Sequence, residues 1–437
     1  MFRNPYAKPN SAILAPPFVE KGWFTLPFKV IARPSVIIGE GGSGKTETLL
    51  KIAYLAATVY GFDIIYVDAK GDDDLAARFV ATMRKAGKRR IRLFPTRSYY
   101  GWIGDTRALY NRLMAVQSYS EPYYENMASL MLDLALNAPG YIPRSSTELL
   151  HNLTLEQLKI RYRGEPEQRE LDRIKDEDAN GVYNRYRAFF RALHGKLDAG
   201  FTFDETDAAY IKLDTVAFAK EASSIGRYLV EDIAHYITVR KPKGKRVLII
   251  IDEVSALAIE NIANLSERLR SFGGAMMLAC QSEEGLAKTQ DERNRILKTS
   301  HMLILHTSNA PEKLVERAGK HKEVNARWSM RGQEGTDYAT VSMEDEYIIP
   351  PDEARRLHVG ECFVIAQGYG YKLHVASVQT DAASLADAEA YIEQEAHGND
   401  AIPQAPMPID AEEQNHRNPT QEHDDQQQSG TSEPELL

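Results

Sequence analysis

The sequence predicts an α/β fold with a mostly parallel central sheet, interrupted by an inserted all-α segment. Three observations carry this. Short, continuously apolar runs recur along the chain, as strands covered on both faces require. Amphipathic stretches with helical spacing separate them. Between about Asp105 and Phe203 the strand signals vanish while helical periodicity continues. Alternation of strand and helix brings the strands side by side in parallel.

The elements follow in order. Met1 to Pro17 holds four prolines and reads as an extended arm, bounded at residues 1–20. Ser35-Val36-Ile37-Ile38 is the first buried strand, and Glu47 to Leu55 has apolar positions at helical spacing. Between them, Gly39-Glu40-Gly41-Gly42-Ser43-Gly44-Lys45-Thr46 completes the pattern G-x-x-x-x-G-K-[ST]. Gly39, Gly41, Gly42 and Gly44, with Ser43, let successive backbone N–H groups turn inward around phosphates. Lys45 suits the β- and γ-phosphates, and the Thr46 hydroxyl suits Mg2+. The flanking strand and helix are the context such a loop needs, so the sequence implies a bound nucleoside triphosphate.

Asp63 to Asp68 reads as a second strand, with Ala69-Lys70-Gly71-Asp72 as a loop at its end, and Ile91 to Pro95 as a third. Within the helical segment, Tyr123 to Leu136, Ser146 to Ile160 and Asn184 to Leu193 are periodic. Ala209 to Leu213 resumes the sheet, and a long helix is expected from about Thr215 to Val239. Arg246 to Ile251 then leads into Asp252-Glu253. Acids at the C-terminal end of a buried strand fall where ligands sit in open α/β sheets. Asp252 is the candidate for the Mg2+ shell and Glu253 for the base that takes a proton from attacking water. Ala275 to Gln281 and His301 to His306 supply two more strands.

Composition narrows the class. A chain of 437 residues buries a large core, and its only cysteines, Cys280 and Cys362, sit in apolar strand-like runs unsuited to a disulfide framework or a zinc site. No run approaches 18 apolar residues, so no intrinsic membrane segment is expected. The formal charge of −9 is unevenly spread: residues 381–437 hold 14 acids against Arg417 alone, leaving the first 380 residues at about +4. Rich in Gln, Pro, Asp and Glu, residues 381–437 read as a disordered acidic tail. Two basic stretches, Arg84 to Arg92 and Arg240 to Arg246, precede strands and are candidates for phosphate contact or for plain solvated turns. No sequence-reading module is visible, so any DNA binding would be through backbone and shape.

The ordered motifs resemble the HerA–FtsK branch of RecA-like P-loop ATPases, and within it the TraG/TraD-like coupling proteins of type IV conjugative DNA transfer. Carrying the resemblance are the phosphate loop, Val67-Asp68-Ala69-Lys70-Gly71-Asp72, Phe94-Pro95-Thr96 and Ile250 to Val254. Further on come Arg270-Ser271-Phe272-Gly273, Leu278-Ala279-Cys280-Gln281-Ser282, Ile348 to Glu353 and Leu357 to Val364. The resemblance spans about residues 21–380. It implies a RecA-like motor domain (21–104 and 206–380), a helical insertion (105–205) used for partner recognition, and a homo-hexameric ring. By resemblance Gln281 senses the γ-phosphate, and Arg270 enters the neighbouring subunit's site as an arginine finger, with Arg268 the competing candidate. Lys70 and Asp72 are placed near the nucleotide or a subunit interface, with a solvated loop as the alternative.

The implied cofactors are ATP and Mg2+, and the implied partners are DNA, a relaxase and type IV secretion components. Relatives in this family begin with transmembrane helices and this sequence shows none, so it is expected in the cytoplasm, recruited to the inner face of the membrane by a partner. The expected function is a DNA-translocating ring motor. An ATPase that powers protein secretion or assembly without gripping DNA, and a binding module with negligible turnover, are the alternatives. A GTPase and an ABC ATPase are set aside, because neither N-K-x-D nor L-S-G-G-Q occurs.

Overall fold

The computed structural model of the chain describes residues 12–15, 24–119, 121–214, 219–257, 259, 262–329 and 338–398. Nine strands form one sheet: β1 Ser35–Ile38, β2 Asp63–Asp68, β3 Ile91–Phe94, β4 Ala208–Lys212, β5 Val247–Asp252, β6 Gly274–Cys280, β7 Met302–Leu305, β8 Glu361–Ala366 and β9 Tyr369–His374. Their spatial order is β9-β8-β7-β1-β6-β5-β2-β4-β3. All pairings are parallel except β7–β8 and β8–β9. Strand β5 shows why the central runs are continuously apolar. Val247, Ile249 and Ile251 enter the core on one face, while Leu248 and Ile250 enter it on the other.

Helices α1 (Lys45–Tyr60) and α2 (Asp73–Lys85) bury their apolar stripes with Leu248 and Ile250. The opposite face receives the long segment between β3 and β4. Its helices are α3 (Thr106–Val116), α4 (Pro122–Leu136), α5 (Ser146–Asn152), α6 (Leu155–Arg161), α7 (Gln168–Leu171) and α8 (Asp176–Leu193). Side chains start several of them: Asp105, Ser145 and Thr154 each accept a backbone N–H of the first turn, which offsets part of the cost of the orphan donors there. Residues of this segment and of the sheet face belong to one continuous core that runs from Leu132 and Phe190 to Ile249.

Helix α9 (Ala219–His235) joins the two parts and ends in a π turn, Tyr236–Arg240. Arg227 on α9 donates to the carbonyls of Ala115 and Val116 at the end of α3. Deeper in, Asp232 is fully buried between two guanidiniums, Arg112 of α3 at 2.7 Å and Arg240 at 2.9 Å. Arg240 also reaches Asp204 at 2.6 Å, and Arg112 donates to the Gly101 carbonyl at 2.7 Å. Helices α10 (Ile262–Ser271) and α11 (Gln290–Thr299) complete this face.

Several expectations need revision. The expected disordered tail begins too early: Ala382–Ala396 is a helix, α12, capped by Asp381. Leu385, Ala388, Tyr391 and Ile392 recur at helical spacing and pack against the core on the α1–α2 face. The acid-rich composition of the whole tail had hidden that stripe. Residues 399–437 lie outside the described residues. Part of the expected N-terminal arm, Ala12–Ala15, pairs antiparallel with Phe24–Leu26. The helix expected from Thr215 is described from Ala219. A ten-residue antiparallel hairpin, Lys320–Ser329 with Tyr338–Tyr347, had no signal that stood out in the sequence.

The Asp232 pairs carry a stability prediction. Asp232→Ala leaves Arg112 as a buried charge without its carboxylate, which should cost about 3–5 kcal/mol. Urea unfolding of the full chain measures it, and a loss below about 1 kcal/mol would show the pair to be dispensable.

Candidate functional site

The phosphate loop connects β1 to α1. Gly42 and Gly44 hold left-handed φ values of 76° and 103°, which side chains rarely adopt. A Cβ on Gly44 would lie 3.0 Å from the Gly360 nitrogen, and one on Gly39 would lie 2.5 Å from the His306 Cβ. Gly41 differs, since a Cβ there meets no protein atom within 4 Å. Ser43 follows the turn, its hydroxyl donating to the Glu40 carbonyl at 2.8 Å and its carbonyl accepting from Gly360 N–H at 3.1 Å. The turn that precedes β8 therefore buttresses the loop from below.

Lys45 is buried, and its ammonium donates to the carbonyls of Gly39 at 2.5 Å and Glu40 at 2.8 Å. Burial lowers its pKa, against the opposing pull of Asp252 and Glu253. Thr46 and Asp252, 206 residues apart, meet with the threonine hydroxyl 3.2 Å from Asp252 Oδ2. Asp252 is buried, which pushes its carboxyl upward while hydrogen bonding opposes the shift. The hydroxyl-and-carboxylate pair, the inward-turning loop and the lysine together fit a Mg2+–nucleoside triphosphate. Thr46 and Asp252 would hold the Mg2+, which would supply positive charge against the phosphates.

Glu253 sits beside this pair in a left-handed conformation, φ 63°, which is unusual for a residue other than glycine, asparagine or aspartate. Its Oε1 accepts from the Ser255 hydroxyl at 2.6 Å and its Oε2 from the Gln281 amide at 3.1 Å. The structure thus brings together Lys45, Thr46, Asp252, Glu253 and Gln281. Arg270 is not with them: it lies near the N-terminal end of β6, whereas Gln281 follows the C-terminal end, so seven strand residues, roughly 20 Å, separate the two. The charge of Arg268 lowers the pKa of Glu231 on α9, against the larger raising effect of burial.

Four contributors had escaped the sequence reading. Tyr66 donates to Asp252 Oδ2 at 2.9 Å, and Tyr210 donates to Asp68 Oδ2 at 2.6 Å. The two rings are register partners on β2 and β4 and stack with centroids 5.8 Å apart. Asp68 also accepts the backbone N–H groups of Lys70, Gly71 and Asp72, so the Asp68–Asp72 loop is wrapped around a carboxylate. Lys70 and Asp72 themselves are exposed, with Asp72 capping α2. His306 contacts Thr48 of α1 at 3.0 Å. The available signal was a tyrosine two residues before the end of each of two apolar strands, Asp63–Asp68 and Ala208–Lys212.

The basic stretches are mostly engaged within the chain. Lys88 and Lys245 both bind Asp63, Arg90 binds Asp207, Arg92 binds Glu395, and Arg240 binds Asp204 and Asp232. Arg84 lies over the Tyr391 ring of α12 and donates to the Asp387 carbonyl.

A parallel sheet with a phosphate loop on one strand, an Asp-Glu pair on another and a glutamine on the strand between them is the arrangement of a RecA-like P-loop fold. Comparison with known proteins narrows this. The family described as "TraM recognition site of TraD and TraG" matches residues 246–359. The type 4 coupling protein DotL of Legionella pneumophila is 46% identical over 54 residues, covering 12% of this chain and 7% of DotL. The DNA import protein CedB of Sulfolobus acidocaldarius is 24% identical over 274 residues, 60% of this chain and 42% of CedB. The chain therefore spans less than half the length of these curated relatives. The solved structure of the bacterial conjugative coupling protein TrwB, in a form termed TrwBdeltaN70, superposes with a TM-score of 0.66 at 17% identity, covering 85% of this chain and 90% of that one. The chain is similar in part of its sequence, and in its fold, to the type IV coupling proteins. Among the described residues, no helix is long and apolar enough to cross a membrane.

Two outcomes follow from this geometry. Tyr66→Phe removes the hydroxyl that orients Asp252 and should lower Mg2+-dependent hydrolysis about tenfold, while nucleotide binding in EDTA stays unchanged; steady-state rates against Mg2+ concentration test it. His306 is held neutral in the fold, its pKa lowered to about 4 chiefly by burial. The unfolded chain takes up that proton near pH 6.5, so the stabilisation is complete above pH 6.5 and lost as pH falls towards 4. His306→Gln should flatten that part of the urea-midpoint profile.

Proposed function

We propose that the chain is an ATP-hydrolysing ring motor that translocates DNA in conjugative or mobile-element transfer. The observation that carries this reading is the arm-to-arm contact of Glu253 with Gln281, beside Thr46 and Asp252. In this reading Glu253 takes a proton from water, and Gln281 ties that carboxylate to the end of β6, so a change at one is felt by the strand of the other. TrwB, the similar coupling protein, is described in complex with ADP and Mg2+ and with non-hydrolysable ATP and GTP analogues, which supports ATP and Mg2+ as the pair used here. DNA as the cargo is supported by the likeness to a DNA import protein and to conjugative coupling proteins.

Arg270 stands at the far end of β6 from its own phosphate loop, and a role in the neighbouring subunit's site accounts for that placement. This reading makes the working form a homo-hexamer. A relaxase, type IV secretion components and a recruiting membrane partner are its expected associates, with the helical segment at 105–205 as the recognition region. One observation favours a second reading, an ATPase serving protein secretion or assembly: five of the eleven cations of the two basic stretches are tied up in internal ion pairs among the described residues.

Steady-state ATP hydrolysis by the full chain, alone and with single- or double-stranded DNA, separates the two. Stimulation by DNA that disappears in Lys45→Ala supports the DNA motor, and hydrolysis indifferent to both DNA forms favours the second reading. Glu253→Gln should reduce turnover about a thousandfold while leaving nucleotide affinity nearly intact. Unimpaired turnover in that variant would remove Glu253 from the catalytic role.

A further inference from the structure

A second basic site lies at the end of the sheet opposite the phosphate loop. A concavity of about 320 Å³ there is lined by Phe28, Lys29, Arg33, Phe62, Arg246 and Arg270, with Gly273 and Gly274 at the turn into β6. It gathers four cations, and no carboxylate lines it among the described residues. None of the four forms an ion pair among the described residues, whereas the neighbouring Lys88, Arg90, Arg240 and Lys245 all do. Four cations without an ion pair among the described residues thus share one concavity.

Their geometry is constrained. Arg246 lies over the Phe28 ring, its guanidinium carbon 4.6 Å from the centroid, and Phe62 packs beside Phe28 at 5.9 Å. The Arg33 guanidinium donates to His301 Nδ1 at 3.1 Å. Burial, with Arg33 and Arg270 nearby, lowers the His301 pKa, which keeps that nitrogen an acceptor. Gly273, at φ 81°, folds the turn close: a Cβ there would come within 3.7 Å of the Lys241 ammonium, adding a fifth cation near the rim. Like charges so placed repel one another in proportion to their closeness, and an anion relieves that. Two planar guanidiniums, one fixed by an aromatic face and one by an imidazole, match the oxygens of phosphate better than flexible ammonium groups alone.

We propose that this concavity is a second phosphate-binding site, formed by Lys29, Arg33, Arg246 and Arg270 over an aromatic floor. Its ligand is a phosphate group of a DNA backbone, and the nucleotide of a second copy of the chain is the source that the test separates from it. The site deepens the motor reading and rests on it only for the source of that phosphate.

Inorganic pyrophosphate titrated by calorimetry into Lys45→Ala protein, in which the phosphate loop is weakened, tests the site directly. Adding Arg33→Gln and Arg246→Gln should weaken binding at least tenfold; Arg246→Gln alone, at an exposed residue, guards against misfolding and should weaken it measurably. In otherwise native protein, anisotropy of a labelled duplex against KCl concentration reports the first source. There each lost contact should make the log–log slope shallower by about 1. Mixing the double variant with Lys45→Ala chains reports the second, since recovery of hydrolysis places the cations on a neighbour's nucleotide. Pyrophosphate binding that depends on Arg33 and Arg246 in a protein indifferent to DNA would keep the site and remove the DNA motor. Pyrophosphate affinity, salt slope and hydrolysis all unchanged in the double variant would overturn the site.

Discussion

The carboxylate of Asp252 is the constraint around which the site is arranged. It is a buried acid at the end of a strand covered on both faces, and an acid in such a place is costly unless its oxygens are satisfied. Thr46 reaches it from the phosphate loop, Tyr66 from the adjacent strand, and Lys45 supplies opposite charge nearby. Thr46 and Lys45 open α1 and Tyr66 lies on β2, so the placement of α1 and β2 against β5 is tied to the needs of one side chain. The parallel register supports this, since Asp68 and Asp252 end neighbouring strands as direct partners. Two acids side by side repel, and Tyr66 and Tyr210 donate to them in turn.

The readable part of the fold was the part in which neighbouring residues act together. The phosphate loop and the Asp252-Glu253 pair are contiguous, and the strands before them are uniformly apolar, so local pattern sufficed. His306 and Gly360 act on the site only after strands far apart in sequence become neighbours, and no local pattern marks them; Tyr66 has only the faint mark of a tyrosine near the end of an apolar strand. The left-handed backbone of Glu253 is likewise invisible in sequence, because glutamate gives no hint of a positive φ. Composition misled in one place, where averaging the acids of residues 381–437 obscured the apolar stripe of α12. The basic stretches gave the opposite difficulty: their charge was plain, but their carboxylate partners, from Asp63 to Glu395, are scattered along the chain.

The helical segment between β3 and β4 is more than an appendage. Its buried side chains merge with those under the sheet, and Arg112 and Asp232 link α3 to α9 through a buried ion pair. Helix α9 leads through its π turn and the Arg240–Arg246 stretch directly into β5, the strand that ends in Asp252. The same chain path thus connects the insertion, the cluster of cations and the acids of the nucleotide site. Packed interiors transmit displacement because they have few voids to absorb it.

Strand β3 is the terminal member of the sheet on its side, and α12 lies along it. The Tyr391 hydroxyl donates to the Ile91 carbonyl at 2.6 Å, and Glu395 receives Arg92 and Arg97. A backbone carbonyl at the margin of a sheet is a template for another strand, and here a side chain occupies it. The helix is therefore a guard against edge-to-edge accretion. A chain trimmed at residue 380, where acid-rich sequence invites the cut, would lose that guard and uncover a hydrogen-bond-ready margin.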